Sequence, residues 1–168
     1  NTLRIFGPAG HLGDYSKIHL FGYGGESESY TAGNSTLTLP LGEIGASFFI
    51  CYDLRFPAYF SKAAPQTHLY VVVANWPKAR LSHFLALARA RAIENQAYVA
   101  AVNRVGNGGG LEYTGGSTVF TPKGEVLAEL GDEEGVLKCD ISPQEVEQYR
   151  REFPFLRDRV GADLFSQG

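Results

Sequence analysis

Only two of the 168 residues are cysteine, and neither has a C-x-x-C partner. That leaves no sign of a disulfide framework or of a structural zinc site. A reducing, cytoplasmic compartment is the default that follows. Long apolar runs are missing too: none is long enough to span a bilayer, and the first stretch does not read as a signal peptide. Clusters of Lys and Arg are absent, and 15 basic against 18 acidic residues give a formal net charge of −3. Such a balance argues against nucleic acid as a partner. No internal repeat or low-complexity segment interrupts the chain, so its ordinary composition predicts one domain with a real core over residues 1–168.

What is present is concentrated in FFICYDLRFP, Phe48 to Pro57. The residues before Cys51 are apolar and partly β-branched or aromatic, a buried strand by pattern. Those after it, Asp53 to Ala64, change to a helical rhythm, with Asp53 as helix-opening residue. A thiol near the positive end of a helix has a lowered pKa and is a better nucleophile. On this run alone, an inert core thiol fits equally well. Cys139 gives a contrast: in GVLKCDIS it shares an alternating phase with Leu137 and Ile141, which predicts a core thiol on a half-buried strand over residues 136–141.

Along the chain, residues 2–21 read as a hairpin turning at Pro8, Ala9 and Gly10, leading directly to Lys17. Since Thr2 to Phe6 already reads as a strand, the chain is expected to open inside a domain. A Gly-rich loop, 22–35, precedes strands at 36–39 and 43–50. HLYVVVANWP, His68 to Pro77, is a fully buried strand ending in Asn75, Trp76 and Pro77. A helix from Ser82 to about Gln96 follows, with Leu81, Phe84, Leu85, Ala88 and Ala92 as its apolar stripe. Strands are expected at 97–102, 117–120 and 125–129, with a Gly-rich loop at 103–116. Ser142, Pro143 and Glu145 make a capping box for the last helix, and the tail from Phe153 has no strong period. Buried strands alternating with helices predict a layered α/β or α+β domain, helices outside and two sheets stacked inside.

A thiolate attacking an amide or nitrile carbon needs a group to hold negative charge on the substrate and a group to move protons. Lys17, flanked by Tyr15 and His19 at the close of a strand, and Glu26, in GYGGESESYTAG, are candidates, although solvent exposure is the default for both. His19 offers a Cys/His dyad instead. Spacing alone does not choose among them.

Taken in order, YSKIHLF, ESESYTAG, CYDLRFP, ANWP, RARAIENQAYVAAVNRVG and GGSTVFTPKGEVLAEL resemble the carbon-nitrogen hydrolase (nitrilase) superfamily over nearly the whole chain. Within it, the ANWP, ARAIENQAYVA and NRVG segments look most like the omega-amidase branch. The resemblance implies a four-layer αββα sandwich and a Glu-Lys-Cys triad that needs no metal or organic cofactor. Cys51 matches the nucleophile and Lys17 the lysine. Glu26, seven residues before Gly33, matches an accessory glutamate better than Glu28 does, and the backbone N–H of Tyr52 would share the oxyanion with Lys17. The family's general-base glutamate lies upstream of the lysine, where this chain has none. The chain is therefore expected to be the C-terminal two-thirds of such a protein, or to be completed by another polypeptide.

The resemblance further implies a small-molecule amide substrate, an omega-amide of a short 2-oxo dicarboxylic acid such as 2-oxoglutaramate or 2-oxosuccinamate, and a homodimer or higher homo-oligomer. Lys78, Arg80 and Arg104 are the candidate cations for the distal carboxylate, and Trp76 a pocket wall. Arg55 and Arg91 read as structural partners of Asp53 and Glu94. Two other readings stay open: an amidase for N-carbamoyl compounds, nitriles or other linear amides, and a non-catalytic binding module that keeps the fold.

Overall fold

The computed structural model describes residues 1–159. The fold is mixed α/β around one central sheet. Strands β1 (Thr2–Gly7) and β2 (Gly10–Ser16) form the expected hairpin. A short helix α1 (Glu26–Ser29) lies in the Gly-rich loop that follows. Six strands then build the sheet: β3 (Leu37–Leu41), β4 (Ile44–Ile50), β5 (Leu69–Ala74), β6 (Tyr98–Asn103), and, beyond the hairpin β7 (Val105–Gly108) and β8 (Leu111–Thr114), β9 (Thr118–Phe120) and β10 (Val126–Glu129). Their order across the sheet is β10-β9-β6-β5-β4-β3. The central trio β4, β5 and β6 is parallel, as buried β-branched runs joined by helices require.

Helices α2 (Pro57–Ala63) and α3 (Leu81–Asn95) cover one face. There Tyr70, Val72, Val99 and Phe120 are fully or almost fully buried, together with Phe60 of α2 and Phe84 and Ala88 of α3. The predicted apolar stripe of α3 is thus the face that packs. The β1–β2 hairpin lies against β3 and β4, with Leu3 and Ile5 packed on the core. Of the layers implied by the family resemblance, the described residues form one helical layer, one large sheet and this two-stranded ribbon.

Three local expectations are corrected. The helix foreseen from Asp53 is broken: a 3-10 turn spans Cys51–Arg55, and α2 starts only at Pro57. Proline has no N–H to continue the turn and forces the residue before it out of helical space; Phe56 sits at φ −116°, ψ 102°. Asp53 is accordingly the third residue of the turn rather than its opening cap. Second, residues 136–141 form no strand, and Cys139 is exposed rather than in the core. The alternation there names a face that would be buried, but no strand lies alongside. Third, the Gly-rich loop 103–116 contains the β7–β8 hairpin, whose glycines lack the side-chain alternation that marks a strand.

Helix α4 (Pro143–Glu152) starts as predicted, with the Ser142 hydroxyl accepting from the Glu145 N–H at 3.3 Å. It runs past the N-terminal ends of β5 and β6, where the Glu145 carboxylate accepts from Tyr98. The expected reach back to the cap is therefore not made. Arg150 donates to the carbonyls of Thr67, Asn95 and Gln96 at 2.8, 2.9 and 3.2 Å, closing the C-terminal end of α3. Arg159 adds bonds to Ser61 and Asn95. The expectation for the remaining tail lies outside the described residues. Replacing Arg150 by Ala removes a charged donor from three carbonyls and is expected to destabilise the fold by about 1–3 kcal/mol, read as a lower urea midpoint with an unchanged slope.

Candidate active site

The C-terminal ends of β4, β5 and β6 converge on one side of the sheet, the edge where open parallel sheets place ligands. Cys51 follows β4 directly, Asn75-Trp76-Pro77 follow β5, and Asn103 closes β6. Cys51, Asn75, Trp76 and Pro77 help form a cavity of about 540 Å3 whose lining also includes Lys17, Glu26, Tyr52, Arg55 and Arg80. Such a volume suits a small molecule.

Cys51 turns the chain from strand into 3-10 turn at φ +45°. A left-handed conformation costs a non-glycine residue roughly 1–2 kcal/mol, and it presents the half-buried thiol to the cavity. The Sγ donates weakly to the Asn75 carbonyl at 3.9 Å. Burial pushes the thiol pKa up; Lys17 works downward, while Glu26 and Asp53 add to the rise. The lowered pKa expected from a helix end is therefore not found, because the long helix on which it depended is a short 3-10 turn and the site is desolvated.

Lys17, just past β2, is buried at 3% exposure, against the surface default for lysine. Its backbone is clamped on both sides: its N–H donates to Asn1 O at 2.9 Å and its carbonyl accepts from Gly33 N at 2.8 Å. A Cβ at Gly33 would lie 2.2 Å from Ser16 O, so only glycine permits this approach. The Lys17 ammonium donates to Glu26 Oε2 at 2.5 Å. Glu26, first residue of α1, also accepts from Phe21 N at 2.7 Å and Asn1 Nδ2 at 2.5 Å. Burial alone would raise its pKa, but the bonds from Lys17, Phe21 and Asn1 outweigh it and hold the carboxyl below its ordinary value. Glu28 is exposed, so the structure brings Glu26 and not Glu28 to the lysine.

Asp53, 1% exposed, ties these segments together. Its Oδ1 accepts from His19 N at 2.8 Å and lies 3.0 Å from His19 Nδ1; its Oδ2 accepts from Tyr15 OH at 2.8 Å and Ile50 N at 3.1 Å. Burial, with the Asp53 charge, pushes the Tyr15 phenol up, which keeps it a donor. His19 is thus engaged with Asp53 and stacked on Phe56 at 4.0 Å; it is no dyad partner for Cys51.

Among the remaining candidates, Trp76 is both packed and lining: 3% exposed, 5.4 Å from the Phe84 ring, and on the cavity wall. Arg80 lines the cavity. Lys78 and Arg104 do not line it. Lys78 is exposed and paired with Glu112 at 2.8 Å, and Arg104 stacks on Tyr113 at 4.5 Å and donates to Asn107 O. Arg91 pairs with Glu94 at 2.8 Å as expected, but Arg55 does not pair with Asp53. It lines the cavity instead, a placement that the sequence reading missed. Glu26 is the one carboxylate among the described residues of the lining.

The carbon-nitrogen hydrolase family profile matches residues 1–151, and the chain belongs to that family. The match begins at residue 1 and does not itself bear out the expectation of an absent N-terminal part. The chain is 39% identical over 160 residues to omega-amidase YafV of Escherichia coli, covering 94% of this chain and 62% of that protein. It is 37% identical over 167 residues to the 2-oxoglutaramate amidase of Bacillus subtilis, covering 98% and 64%. Among solved structures, XC1258 from Xanthomonas campestris, a CN-hydrolase superfamily protein with an arsenic adduct in its active site, superposes with a TM-score of 0.88 at 38% identity, covering 96% of this chain and 64% of that one. The chain thus spans somewhat under two thirds of the length of these relatives.

The Lys17–Glu26 pair gives a test by pH. A carboxyl held below its unfolded value contributes stability that is complete above that value and is lost as pH falls through the folded one. Glu26→Gln is expected to be less stable than the parent by about 1–3 kcal/mol at pH 7. The gap should close on acidification below about pH 4, as read from paired melting curves. A gap that does not vary with pH would show that the charge of Glu26 is not what stabilises the site.

Proposed function

We propose that the protein is a thiol amidase, hydrolysing the omega-amide of a short 2-oxo dicarboxylic acid, 2-oxoglutaramate foremost, with release of ammonia. What carries the reading is the meeting of Cys51, Lys17 and Glu26 at one cavity in a chain of this family. The names of the two curated relatives give the substrate class.

In this reading the Cys51 sulfur attacks the amide carbon, and the carbonyl π electrons move onto oxygen. The Lys17 ammonium and the Tyr52 N–H hold that oxyanion. The C–N bond breaks, ammonia leaves with the proton taken from the thiol, and a thioester remains. Water then adds to the thioester and expels the thiol, giving the 2-oxo dicarboxylic acid. Proton transfer falls to the triad glutamate that the family pattern implies, while Glu26 fixes Lys17 and balances its charge. A thiol whose pKa is raised at rest suits such a scheme, because the proton leaves as the attack proceeds.

The full-length protein should release ammonia from 2-oxoglutaramate and lose about 10³-fold or more of that activity on Cys51→Ser. Mass spectrometry of a rapidly quenched reaction should find an acyl adduct on the peptide holding Cys51 and none on that of Cys139. Release from N-carbamoyl amino acids or nitriles but from no 2-oxo acid amide would move the reading to another branch of the superfamily. Absence of turnover on all three would favour the binding module.

A further inference from the structure

The β7–β8 hairpin borders the cavity, and the proposed chemistry uses none of it. Leu111 and Tyr113, two apart on β8 and so on one face of the strand, both line the cavity that holds Cys51. Their cross-strand partners on β7 are Gly108 and Gly106, so no side chain from that strand stands opposite them. Arg104 fills the space instead. Its guanidinium carbon lies 4.5 Å from the centroid of the Tyr113 ring, and its Nη2 donates to Asn107 O at 3.1 Å. A Cβ at Gly108 would come within 2.8 Å of that Nη2, so a larger residue there would displace the guanidinium. The repeated glycines of this stretch thus leave room for a cation that backs an aromatic wall.

This wall is fixed at its base and set apart from the thiol. Asn103 Nδ2 donates to Gly115 O at 2.8 Å, and Gly115 N donates to Arg104 O at 3.2 Å. Between Leu111 and Tyr113, Glu112 pairs with Lys78 at 2.8 Å. The chain leaves the sheet for the hairpin at the end of β6, two strand positions from β4 and Cys51. At the usual strand spacing that is about 10 Å, a span that suits an extended chain of a few carbons with its end groups.

We propose that Leu111 and Tyr113 are specificity-determining residues that set the upper length of the substrate chain attacked at Cys51, with Arg104 as the positioning residue behind the Tyr113 ring. The assignment rests on the amidase reading for the reacting amide and on the hairpin for the limit. It gives Arg104 a task other than the carboxylate contact expected from the sequence.

The test uses the full-length protein and three substrates that differ by one methylene each: 2-oxosuccinamate, 2-oxoglutaramate and the omega-amide of 2-oxoadipic acid. In Tyr113→Ala, kcat/KM for the longest amide relative to 2-oxoglutaramate should rise about tenfold, and in Tyr113→Phe, which keeps the ring, the ratio should stay within about twofold of the parent. Arg104→Gln should move the ratio in the same direction by about threefold, with kcat for 2-oxoglutaramate nearly unchanged. Leu111→Trp, at a site 47% exposed where bulk is tolerated by the fold, should shift preference the opposite way, toward 2-oxosuccinamate, by about tenfold. A second measurement needs no turnover: N-alkyl iodoacetamides of increasing length label Cys51, and the exposed Cys139 of the same molecule corrects for their intrinsic reactivity. From N-methyl to N-octyl the Cys51-to-Cys139 labelling ratio should fall at least about tenfold in the parent and less than about threefold in Tyr113→Ala. A substrate preference unchanged in both Tyr113→Ala and Leu111→Trp, or a labelling ratio that Tyr113→Ala leaves as it was, overturns the proposal while leaving the amidase reading intact. If the parent hydrolyses none of the three amides yet its labelling falls with chain length in a Tyr113-dependent way, the amidase reading fails and the length limit stands.

Discussion

The Asp53 carboxylate joins the two stretches of chain on which the candidate site depends. Tyr15 and His19, which bind it, stand two residues either side of Lys17, and Ile50, which also binds it, directly precedes Cys51. The distance between ammonium and thiol is thus indexed by one buried anion rather than by a long path through the sheet. A charge at 1% exposure is tolerable only when its lone pairs are met, and here both oxygens accept bonds from surrounding donors. Stacking of His19 on Phe56 extends the same tie to the point where proline ends the turn. The site is therefore assembled by the requirement to satisfy a carboxylate, and the placement of Lys17 and Cys51 follows from that requirement.

A second constraint acts on the thiol itself. Desolvation raises the Cys51 pKa more than Lys17 lowers it, so the ammonium is not free to create a resting thiolate. Its charge is already drawn 2.5 Å from Glu26. An ammonium so held keeps a fixed direction, and under the proposed function it is worth most to a species that is negative only in passing, the tetrahedral oxyanion. In the proposed mechanism Glu26 is then the group that prevents Lys17 from stabilising the ground state too well. The strained φ of Cys51 belongs to the same design, since a sharp strand-to-turn corner projects the sulfur without lengthening its side chain.

Much of this was legible in the sequence because it is encoded locally. The apolar run into Cys51, the stripe of α3 and the cap at Ser142 each depend on residues within a few positions of one another. Where the reading went astray, the deciding partner was distant or absent. Asp53 and Arg55 look like an ion pair on paper, yet residues two apart on a helical turn do not face each other, and Asp53 was claimed by β2. The alternation around Cys139 is that of a strand, but pattern specifies a face and not a neighbour to pair with. The break before Pro57 was readable from the proline alone, and the helical rhythm of the flanking residues outweighed it. The meeting of Lys17 with Glu26 needed the resemblance to be foreseen, since nothing in their spacing within a Gly-rich loop distinguishes Glu26 from Glu28.

The cavity has walls of two physical kinds, and this separates what can vary from what cannot. Its floor is built on the ends of parallel strands and fastened by buried side-chain-to-backbone bonds: Asn103 alone holds Trp76 at both N–H and C=O and the Gly115 carbonyl at 2.8 Å. Loss of any of these strands a buried polar group, which costs about 1–3 kcal/mol. The rim contributed by Leu111 and Tyr113 sits on the β7–β8 hairpin. One tie of that hairpin to the chain around Trp76 is the exposed Lys78–Glu112 pair, an interaction of at most about 1 kcal/mol that salt screens. Substitutions on the rim can therefore alter the length or bulk of ligand admitted with little effect on the floor. Those at Trp76 or Asn103 disturb the floor itself, where Trp76 and Cys51 line the same cavity.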